Sequence, residues 1–500
     1  MRAMIALAAV FLGLTPEQSA IRADVAALAD DAMAGREAGT AGYDRAADYV
    51  IERFRAAGLS PVPGHGWRQR VSLVALSATG PGTATVTRGG QSGALDPMDI
   101  ALSLPERPED EHVSGTLIAA GHCVIDRTAG IDDFAGIDVR GKIVACAMGA
   151  PADLSPVDRA IRGAPSEQAR AARALGALGI VVVQSKAQAK NTTFVRIARA
   201  WRAPRMILSE RPDDGRVLAL LSAGAAERLF ASGKTLTLTL EASAHRRQLA
   251  SSNIVGWLPG SDARRRHEYV VVSAHLDHLG DDVPAMVGSS DRIANGTLDN
   301  AMGVAAMIAV AQRTANSGSR PAASVMFVAF TAEEQGLLGS TWFVRHPPVP
   351  RSRTIVNINL DMPILTYDLQ DLVLLGGERS GMARLANAAA AEMGLHLTPD
   401  PDPDGAAIVR SDQYSFLRAG IPAVLALPGP GGGGAAAARR YRTEHYHRPT
   451  DDLSLLINWH AADRFVHFVQ RLAHLAAEST STAGQKVEAR AGGRTASPPL

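Results

Sequence analysis

The stretch YVVVSAHLDHLG, residues 269–280, decides the fold class of this chain. Its apolar first half is typical of a strand that is buried on both faces of a parallel sheet. Three polar side chains follow at once, those of His275, Asp277 and His278. Because open α/β sheets place their chemistry at the carboxyl ends of parallel strands, we expect a functional site here. Taken alone, the pattern also fits an ordinary surface or core histidine.

Two further apolar runs end in acidic residues. The run in residues 324–340, SVMFVAFTAEEQGLLGS, ends at Glu333 and Glu334, and the run in residues 354–363, TIVNINLDMP, ends at Asp361. Glutamates are usually exposed, so a pair at the end of a buried strand is unusual as mere surface. Three strand ends that carry His-x-Asp, Glu-Glu and Asp predict one shared site.

Two more groups complete the candidate set. Asp299 and Asn300 stand at the start of a long apolar-faced helix, where either helix capping or a role in the site could explain the aspartate. His447 lies in YHRPTDD, residues 446–452, shortly before the last long helical segment. Together with His275, Glu334 and Asp361 from the strand ends, Asp299 and His447 give two imidazoles and three carboxylates.

This donor set predicts a metal site. Imidazole and carboxylate ligands without thiolate suit zinc, with cobalt or manganese as substitutes. Five ligands are too many for one tetrahedral catalytic zinc and fit two ions that share a bridging carboxylate. Glu333 then remains as a general base, and we expect Asp277 to accept the second imidazole N–H of His275 and fix its tautomer. The candidate ligands are His275, Asp299, Glu334, Asp361 and His447.

The order of these motifs resembles the M28 family of zinc metallopeptidases, which includes bacterial aminopeptidases and relatives of glutamate carboxypeptidase. The resemblance covers residues 253 to about 477 and implies an α/β fold, with a mixed, mostly parallel sheet between helices. It also implies two zinc ions per chain and a peptide substrate. The motifs are HLDHLG, TLDNAMG, TAEEQGLLGS, NLDMP and YHRPTDD.

The resemblance assigns a role to each ligand. His275 and Asp361 would hold one zinc ion, Glu334 and His447 the other, and Asp299 would bridge them. By the same resemblance, the peptide bond between Asp299 and Asn300 is expected to be cis.

The resemblance also assigns the catalytic groups. Glu333 would be the general base for the water that attacks the scissile carbonyl, and Tyr446 would donate a hydrogen bond to the developing oxyanion. His445 is the rival for the last ligand, but only His447 is followed by an aspartate four residues later. His278 matches no ligand position and is expected in the pocket wall.

The chain departs from the family pattern at two positions. Met302 stands where many relatives have serine, and Gln413, in SDQYSF, stands where many have histidine. Neither position holds metal in the family, so the departures concern the substrate pocket and loop packing.

The favoured function is that of a metallo-aminopeptidase that removes N-terminal residues from peptides. A carboxypeptidase or dipeptidase of the same family is an alternative, because the zinc motifs do not choose which peptide end is bound. A glutaminyl-cyclase-like acyltransferase with one zinc, or an inactive binding protein, are further alternatives. The complete ligand set and Glu333 argue against the inactive protein.

A chain of 500 residues exceeds one average domain. The segment DDFAGIDVRGKIVACAMG is similar to a protease-associated (PA) domain, a mainly β insertion in many relatives. Further upstream, residues 67–76 and 82–90 are typical of a β-hairpin, and Arg36 and Glu37 are predicted in a solvated turn. The predicted divisions are a signal peptide at 1–20, catalytic segments at 21–94 and 245–478, the PA-like domain at 95–244 and a disordered tail at 479–500.

The charge balance excludes several kinds of partner. Lys and Arg total 51 against 50 for Asp and Glu, a net charge of +1, so no general attraction to nucleic acid or anionic membranes is expected. No stretch predicts a membrane span. Cys123 and Cys146 could form a disulfide or remain as two buried thiols. The signal-like N-terminus predicts a periplasmic or secreted protein, and the sequence does not predict the oligomeric state.

Overall fold

A computed structural model describes residues 13–210, 215–231 and 233–479. Residues 1–12 of the predicted signal peptide and residues 480–500 of the predicted tail lie outside the described residues. Within the described ranges, the chain contains both strands and helices.

The strands are β1 (Arg68–Ala78), β2 (Thr83–Arg88), β3 (Gln91–Ala94), β4 (Ile100–Leu102), β5 (His112–Ala119), β6 (Ile125–Asp126), β7 (Ile131–Asp132), β8 (Ile143–Ala147), β9 (Gly179–Val183), β10 (Arg205–Leu208), β11 (Val217–Leu221), β12 (Leu236–Glu241), β13 (Ala244–Leu258), β14 (Tyr269–His275), β15 (Ser324–Phe330), β16 (Thr354–Leu360), β17 (Leu372–Leu375) and β18 (Ala423–Pro428). The α-helices are α1 (Pro16–Leu28), α2 (Ala41–Ala56), α3 (Pro156–Arg162), α4 (Pro165–Ala174), α5 (Lys186–Asn191), α6 (Phe194–Trp201), α7 (Ala223–Phe230), α8 (Met302–Asn316), α9 (Leu338–Arg345), α10 (Gly377–Ser380), α11 (Met382–Ala391), α12 (Gln413–Arg418), α13 (Gly434–Glu444) and α14 (Trp459–Glu478).

The first of two large sheets has the strand order β10-β1-β13-β15-β14-β16-β18-β17. Its central strands β15, β14, β16 and β18 are parallel, and the outer pairings are antiparallel. This mixed sheet confirms the predicted α/β class. The parallel part contains the three strands whose ends carry the candidate site.

Both faces of the central strands are covered, as their continuous apolar sequences predict. Every residue of β14 and β15 is buried. On β14, Val270 and Val272 pack in the core formed with α1, α2, α8 and α14, whereas Val271 packs on the opposite face with Phe343 of α9 and Phe416 of α12. The two helical layers fix the strand ends in place.

The second sheet has the order β3-β2-β12-β5-β8-β9-β11-β4. It already begins at Thr83, because β2 pairs with β12 and β3. Both segments are strands, as predicted, but they do not form a hairpin with each other: β1 pairs with β10 and β13 in the first sheet, while β2 lies in the second. Helices α3 to α7 fall within 95–244, so this region is mixed α/β, and its similarity to a PA domain stays a prediction, as do the domain boundaries.

Helix α1 overlaps the predicted signal peptide. Thr15 caps the helix, since its hydroxyl accepts the Gln18 N–H at 3.2 Å. The Gln18 side chain is buried, and Ile21 belongs to the main core. The predicted boundary at residue 20 therefore falls inside a packed helix.

Cys123 and Cys146 form a disulfide that links the segment after β5 to β8. Of the two open alternatives, the structure thus has the covalent one. Among the described helices, none has the length and apolar character to cross a membrane.

Candidate metal centre

The three predicted strand ends meet at one edge of the first sheet. His275 is the last residue of β14, and the parallel neighbours β15 and β16 run directly into the segments that carry Glu333, Glu334 and Asp361. The side chains of His275 and Asp361 come within 3.1 Å of each other, Nε2 to Oδ1. The candidate site is therefore a product of the parallel pairing.

Asp299 lies between the two predicted imidazoles. Its Oδ1 is 3.3 Å from His275 Nε2, and its Oδ2 is 3.4 Å from His447 Nε2. His447 Nε2 is also 3.1 Å from Glu334 Oε2. Burial opposes ionisation of Asp299, but the nearby imidazoles of His275 and His447 hold its pKa well below the ordinary value. Two clusters thus share one carboxylate, which is the arrangement predicted for a bridging ligand.

His447 and His445 occupy different environments. The His445 ring is directed at main chain, with Nδ1 at 2.9 Å from the Thr450 carbonyl. His447, in contrast, lines the large cavity at the site and contacts two candidate ligands. The structure places the predicted histidine, and not its rival, in the cluster.

Asp277 makes a different contact from the predicted one. The Nδ1 atom of His275 lies 3.1 Å from the main-chain carbonyl of Asp277, and not beside its carboxylate. That carboxylate instead accepts the main-chain N–H groups of Glu333, at 3.0 Å, and Glu334, at 3.3 Å. The turn after β14 brings the Asp277 carbonyl back to the His275 imidazole, and the Asp277 side chain reaches the segment after β15. The prediction of a carboxylate-imidazole pair is therefore wrong in its atoms, although Asp277 still orients the site.

His278 is not part of the pocket wall. Its side chain is buried, and its Nδ1 lies 2.7 Å from Glu334 Oε1. His278, Asp299 and Glu334 also form a group whose ligand atoms all lie within 4.8 Å of one another. Sequence reasoning missed this contact, and the signal for it was the second histidine of HLDHLG.

Glu333 and Tyr446 face the same cavity of about 1010 Å³ as the candidate ligands. Burial raises the pKa of Glu333 well above its usual value; Asp361, Glu334 and Asp412 add to the rise, and His275 opposes it. The Tyr446 ring stacks on that of His447 with 3.8 Å between centroids. Burial, with Asp299 and Glu334, also raises the pKa of the Tyr446 phenol, so it stays a hydrogen-bond donor at neutral pH.

The Asp299 segment is held by the buried carboxylate of Asp451, the aspartate four residues after His447, for which no role was predicted. Asp451 accepts the main-chain N–H groups of Leu298 at 3.0 Å and Asp299 at 3.1 Å, and the Tyr441 hydroxyl at 2.7 Å. The Asp299–Asn300 peptide bond is cis, as the resemblance implied. The signal for Asp451 was its fixed distance from His447 in YHRPTDD.

Helix capping does not explain Asp299. The capping contact belongs to its neighbour, since Asn300 Oδ1 accepts the Gly303 N–H at 3.1 Å. The Asn300 side chain also bonds the main chain on both sides of Asp361. Its Nδ2 donates to the Leu360 carbonyl at 2.9 Å, and its Oδ1 accepts the Met362 N–H at 3.3 Å. Asn300 thereby joins the start of α8 to the end of β16.

The two departures from the family pattern lie behind the site. Gln413 accepts a hydrogen bond from Asn359 Nδ2 at 3.1 Å and donates to the Ile408 carbonyl at 2.9 Å. Met302, the first residue of α8, is fully buried in the main core. Both side chains pack loops and helices and do not reach the candidate ligands.

The predicted solvated turn at Arg36 is wrong. The Arg36 side chain is 1% exposed, and its guanidinium donates to four main-chain carbonyls. Glu37, beside it, is half-buried. A charged residue in a glycine-rich segment usually faces solvent. Arg36 is buried instead because three of its carbonyl acceptors come from segments far away along the chain.

Part of the chain matches a family of known proteins. Residues 253–473 match the family model of Peptidase family M28. A glutamate carboxypeptidase 2 homolog from Caenorhabditis briggsae is 31% identical over 137 residues, which are 26% of this chain and only 16% of that protein. The aligned part of the chain thus spans about a sixth of that relative.

The fold of this chain is similar to that of one solved aminopeptidase structure. An aminopeptidase from Aneurinibacillus sp. strain AM-1 has a TM-score of 0.52 and 20% identity, and the match covers 92% of this chain and 93% of that one. A zinc aminopeptidase from Bacillus subtilis has a TM-score of 0.46 and 21% identity over 92% and 95% of the two chains. The part of the chain that carries the predicted motifs, residues 253–473, is thus similar to peptidase family M28.

Proposed function

We propose that this protein is a zinc-dependent exopeptidase, and in particular an aminopeptidase with two zinc ions per chain. The observation that carries the proposal is the position of Asp299, whose two carboxylate oxygens face His275 and His447 at 3.3 and 3.4 Å. Each of these imidazoles also contacts a second predicted ligand. Such a pair of clusters around one carboxylate suits two metal ions.

The residues present fit zinc. They offer imidazole nitrogen and carboxylate oxygen, and two groups of potential ligand atoms, His275 with Asp299 and Asp361, and His278 with Asp299 and Glu334, are each compact enough to hold an ion. His275 and Asp361 would hold one ion, Glu334 and His447 the other, and Asp299 both. When bound, the ions supply Lewis acidity towards the scissile carbonyl.

The choice between His447 and His278 as the partner of Glu334 follows from access. His447 lines the cavity, whereas His278 is 1% exposed and contacts Glu334 through Nδ1 at 2.7 Å. We assign His447 as the ligand and His278 as the residue that orients Glu334. Buried partners of this kind commonly fix the orientation of ligands.

The chain's own groups can carry the proton transfers. Glu333 lines the cavity next to Glu334 and is 8% exposed, so it can accept a proton from the attacking water and deliver it to the leaving amine. The Tyr446 hydroxyl can donate a hydrogen bond to the oxygen of the scissile carbonyl as charge develops there. Arg410 Nη2 donates to that hydroxyl at 3.3 Å and leaves its proton free to point into the cavity.

A carboxypeptidase of the same family is the second candidate. Arg410 lines the cavity, and a guanidinium suits bidentate binding of a substrate carboxylate. The curated relative with 31% identity is a glutamate carboxypeptidase 2 homolog. The aminopeptidase stays first, because the solved structure that this chain resembles over 92% of its length is an aminopeptidase.

A substrate panel tests the choice. Purified protein is assayed on aminoacyl-arylamides, on peptides with a blocked N-terminus and on dipeptides with a free C-terminus, each with and without chelator. The aminopeptidase proposal expects cleavage of every substrate with a free N-terminus and none of the blocked peptides. Cleavage of blocked peptides from the C-terminus would favour the carboxypeptidase, and activity that resists chelation would contradict both.

Metal content tests the two-ion proposal separately. Elemental analysis of the purified protein should find about two zinc ions per chain. A reproducible value near one would instead favour a mononuclear enzyme such as a glutaminyl cyclase.

We also propose that the protein works in the periplasm or outside the cell. The disulfide between Cys123 and Cys146 supports an oxidising compartment. Fractionation of the source cells, with thiol labelling before and after reduction, would test this proposal; a reduced protein in the cytoplasm would contradict it.

A further inference from the structure

Arg36 is a fully buried cation whose hydrogen bonds all go to main-chain carbonyls. Its Nε donates to Leu276 at 2.9 Å, and its Nη1 donates to Leu28 at 2.5 Å and Asn295 at 2.6 Å. Its Nη2 donates to Gly296 at 3.0 Å. Burial of an unsatisfied charge is very costly, and the four hydrogen bonds to main-chain carbonyls satisfy the Arg36 guanidinium in this buried position.

Three of the four acceptors belong to the two loops that carry the site, and the fourth, Leu28, is the last residue of α1. Leu276 lies between His275 and Asp277, so its carbonyl is part of the His275 loop. Asn295 and Gly296 directly precede the segment that leads to Asp299. One guanidinium therefore joins the loop of a candidate terminal ligand to the loop of the candidate bridging ligand.

The main chain around Arg36 reinforces the same link. The Arg36 carbonyl accepts the His278 N–H at 3.2 Å, and the Gly35 carbonyl accepts the Gly280 N–H at 3.0 Å. A β-carbon on Gly35 would lie 2.1 Å from the Gly280 carbonyl oxygen, so only glycine permits this approach. The turn at 34–36 is thus pressed against the HLDHLG loop.

Arginine suits this place for geometric reasons. Its planar fork has five N–H donors at fixed angles, whereas lysine offers a single ammonium group. Burial lowers the pKa of Arg36 to about 10, and the carboxylates of Asp451, Asp299, Asp277 and Glu334 oppose that effect. The guanidinium therefore stays charged at neutral pH, next to a site rich in negative charge.

We propose that Arg36 is a positioning residue: its guanidinium fixes the His275 loop relative to the Asp299 loop and thereby sets the affinity of the site for zinc. The inference rests on the proposed metal site. It goes beyond that site because it assigns a function to a residue that lies outside residues 253–473 and touches none of the ligand side chains.

Arg36→Lys is the decisive variant. It keeps the positive charge but cannot bond four carbonyls in one plane. Competition between metal-stripped protein and a chromogenic chelator for Zn²⁺ should show an affinity about 10- to 100-fold below that of the wild type, as is typical when a group that orients ligands is lost. A role through charge alone would leave the affinity of this variant unchanged.

Arg53→Lys is the matched control. Arg53 Nε pairs with Asp24 at 2.7 Å and so ties α2 to α1, away from the site. This variant should lower the thermal unfolding midpoint without a change in zinc affinity. If Arg36 were merely structural, Arg36→Lys would behave in the same way.

Each outcome decides the inference. Wild-type zinc affinity in Arg36→Lys overturns it. If that variant folds only with metal, the dependence of its unfolding midpoint on Zn²⁺ concentration gives the affinity instead.

If Arg36→Lys does not fold at all, Asn295→Ala replaces it as the test. The Asn295 amide ties the same loop to the Ala29 carbonyl at 2.9 Å and to Asp31 at 2.8 Å. An affinity about tenfold lower is then expected, and an unchanged one overturns the inference. A wild-type protein that binds no zinc would overturn the proposed function itself.

Discussion

The carboxylate of Asp277 accepts the main-chain N–H of Glu333 at 3.0 Å, so the loop after one parallel strand holds the loop after its neighbour. The second oxygen accepts the N–H of Glu334 at 3.3 Å. Because Glu333 and Glu334 are the proposed base and the proposed ligand, one buried carboxylate sets the main-chain position of both. Asp451 and Asn300 hold the segments of Asp299 and Asp361 in the same manner.

Asp277→Asn should weaken zinc binding by about 10- to 100-fold while the protein stays folded. The amide keeps one acceptor oxygen but places an NH₂ group against the second main-chain N–H, which leaves two donors facing each other. Zinc affinity is measured by chelator competition, and folding by circular dichroism.

Asp126→Asn is the control for this variant. Asp126 is also buried; its Oδ1 accepts the main-chain N–H groups of Thr128 at 3.0 Å and Ala129 at 3.1 Å, and its Oδ2 lies 3.4 Å from Arg162 Nε, but it belongs to β6, outside the first sheet. It should cost stability without a change in zinc affinity. Equal zinc affinities in both variants would show that Asp277 has no role specific to the site.

Glu333→Gln and Glu334→Gln should separate catalysis from metal binding in adjacent residues. Loss of a general base typically costs about 100- to 10,000-fold in rate, so Glu333→Gln should lose most of its activity and keep about two zinc ions. Glu334→Gln should lose one ion as well, since its carboxylate contacts His447 at 3.1 Å. Elemental analysis and kcat are measured on the same preparations. Full activity in Glu333→Gln would remove this residue as the base.

The members of the candidate cluster could be predicted because each proposed ligand follows a local sequence pattern. An apolar strand that ends in His275, Glu334 or Asp361 fixes the position of that side chain at the sheet edge, and the edge is shared because the strands are parallel. His447 needed only its spacing to Asp451. These relationships depend on secondary structure and on short distances along the chain.

The failures have a common physical cause. Arg36, His278 and the Asp277 carboxylate find their partners through loops that pack together only in the folded chain. The acceptors of Arg36 include Leu276 and Gly296, which are 240 and 260 residues away in sequence. No local pattern contains that information. The hairpin prediction failed for a similar reason: β1 and β2 both have sequences typical of strands, but the two strands belong to different sheets.

Loss of the disulfide should destabilise the second sheet. The cysteines are 23 residues apart, and a loop of this length corresponds to about 3 kcal/mol in the chain-entropy estimate. The wild type should unfold at a lower temperature in reductant, and the Cys123→Ser/Cys146→Ser double variant should do so with and without it. Zinc affinity should stay constant, since both cysteines lie outside the site. The prediction would be contradicted if the unfolding midpoint of the wild type were the same with and without reductant.

Tyr446→Phe should lower kcat about 100-fold and leave KM and zinc content nearly unchanged. The hydroxyl is proposed to bond the oxyanion and not the ground-state carbonyl, so its loss raises the barrier without weakening substrate binding. The phenylalanine ring keeps its stacking on His447, at 3.8 Å between centroids, and so keeps that proposed ligand in place.

Tyr49→Phe is the control. The Tyr49 hydroxyl donates to Asp24 at 2.6 Å and has no proposed role in catalysis, so its loss should lower stability alone. A rise in KM at constant kcat would instead assign Tyr446 to substrate binding, and a loss of zinc would mean that the phenol supports the ligand.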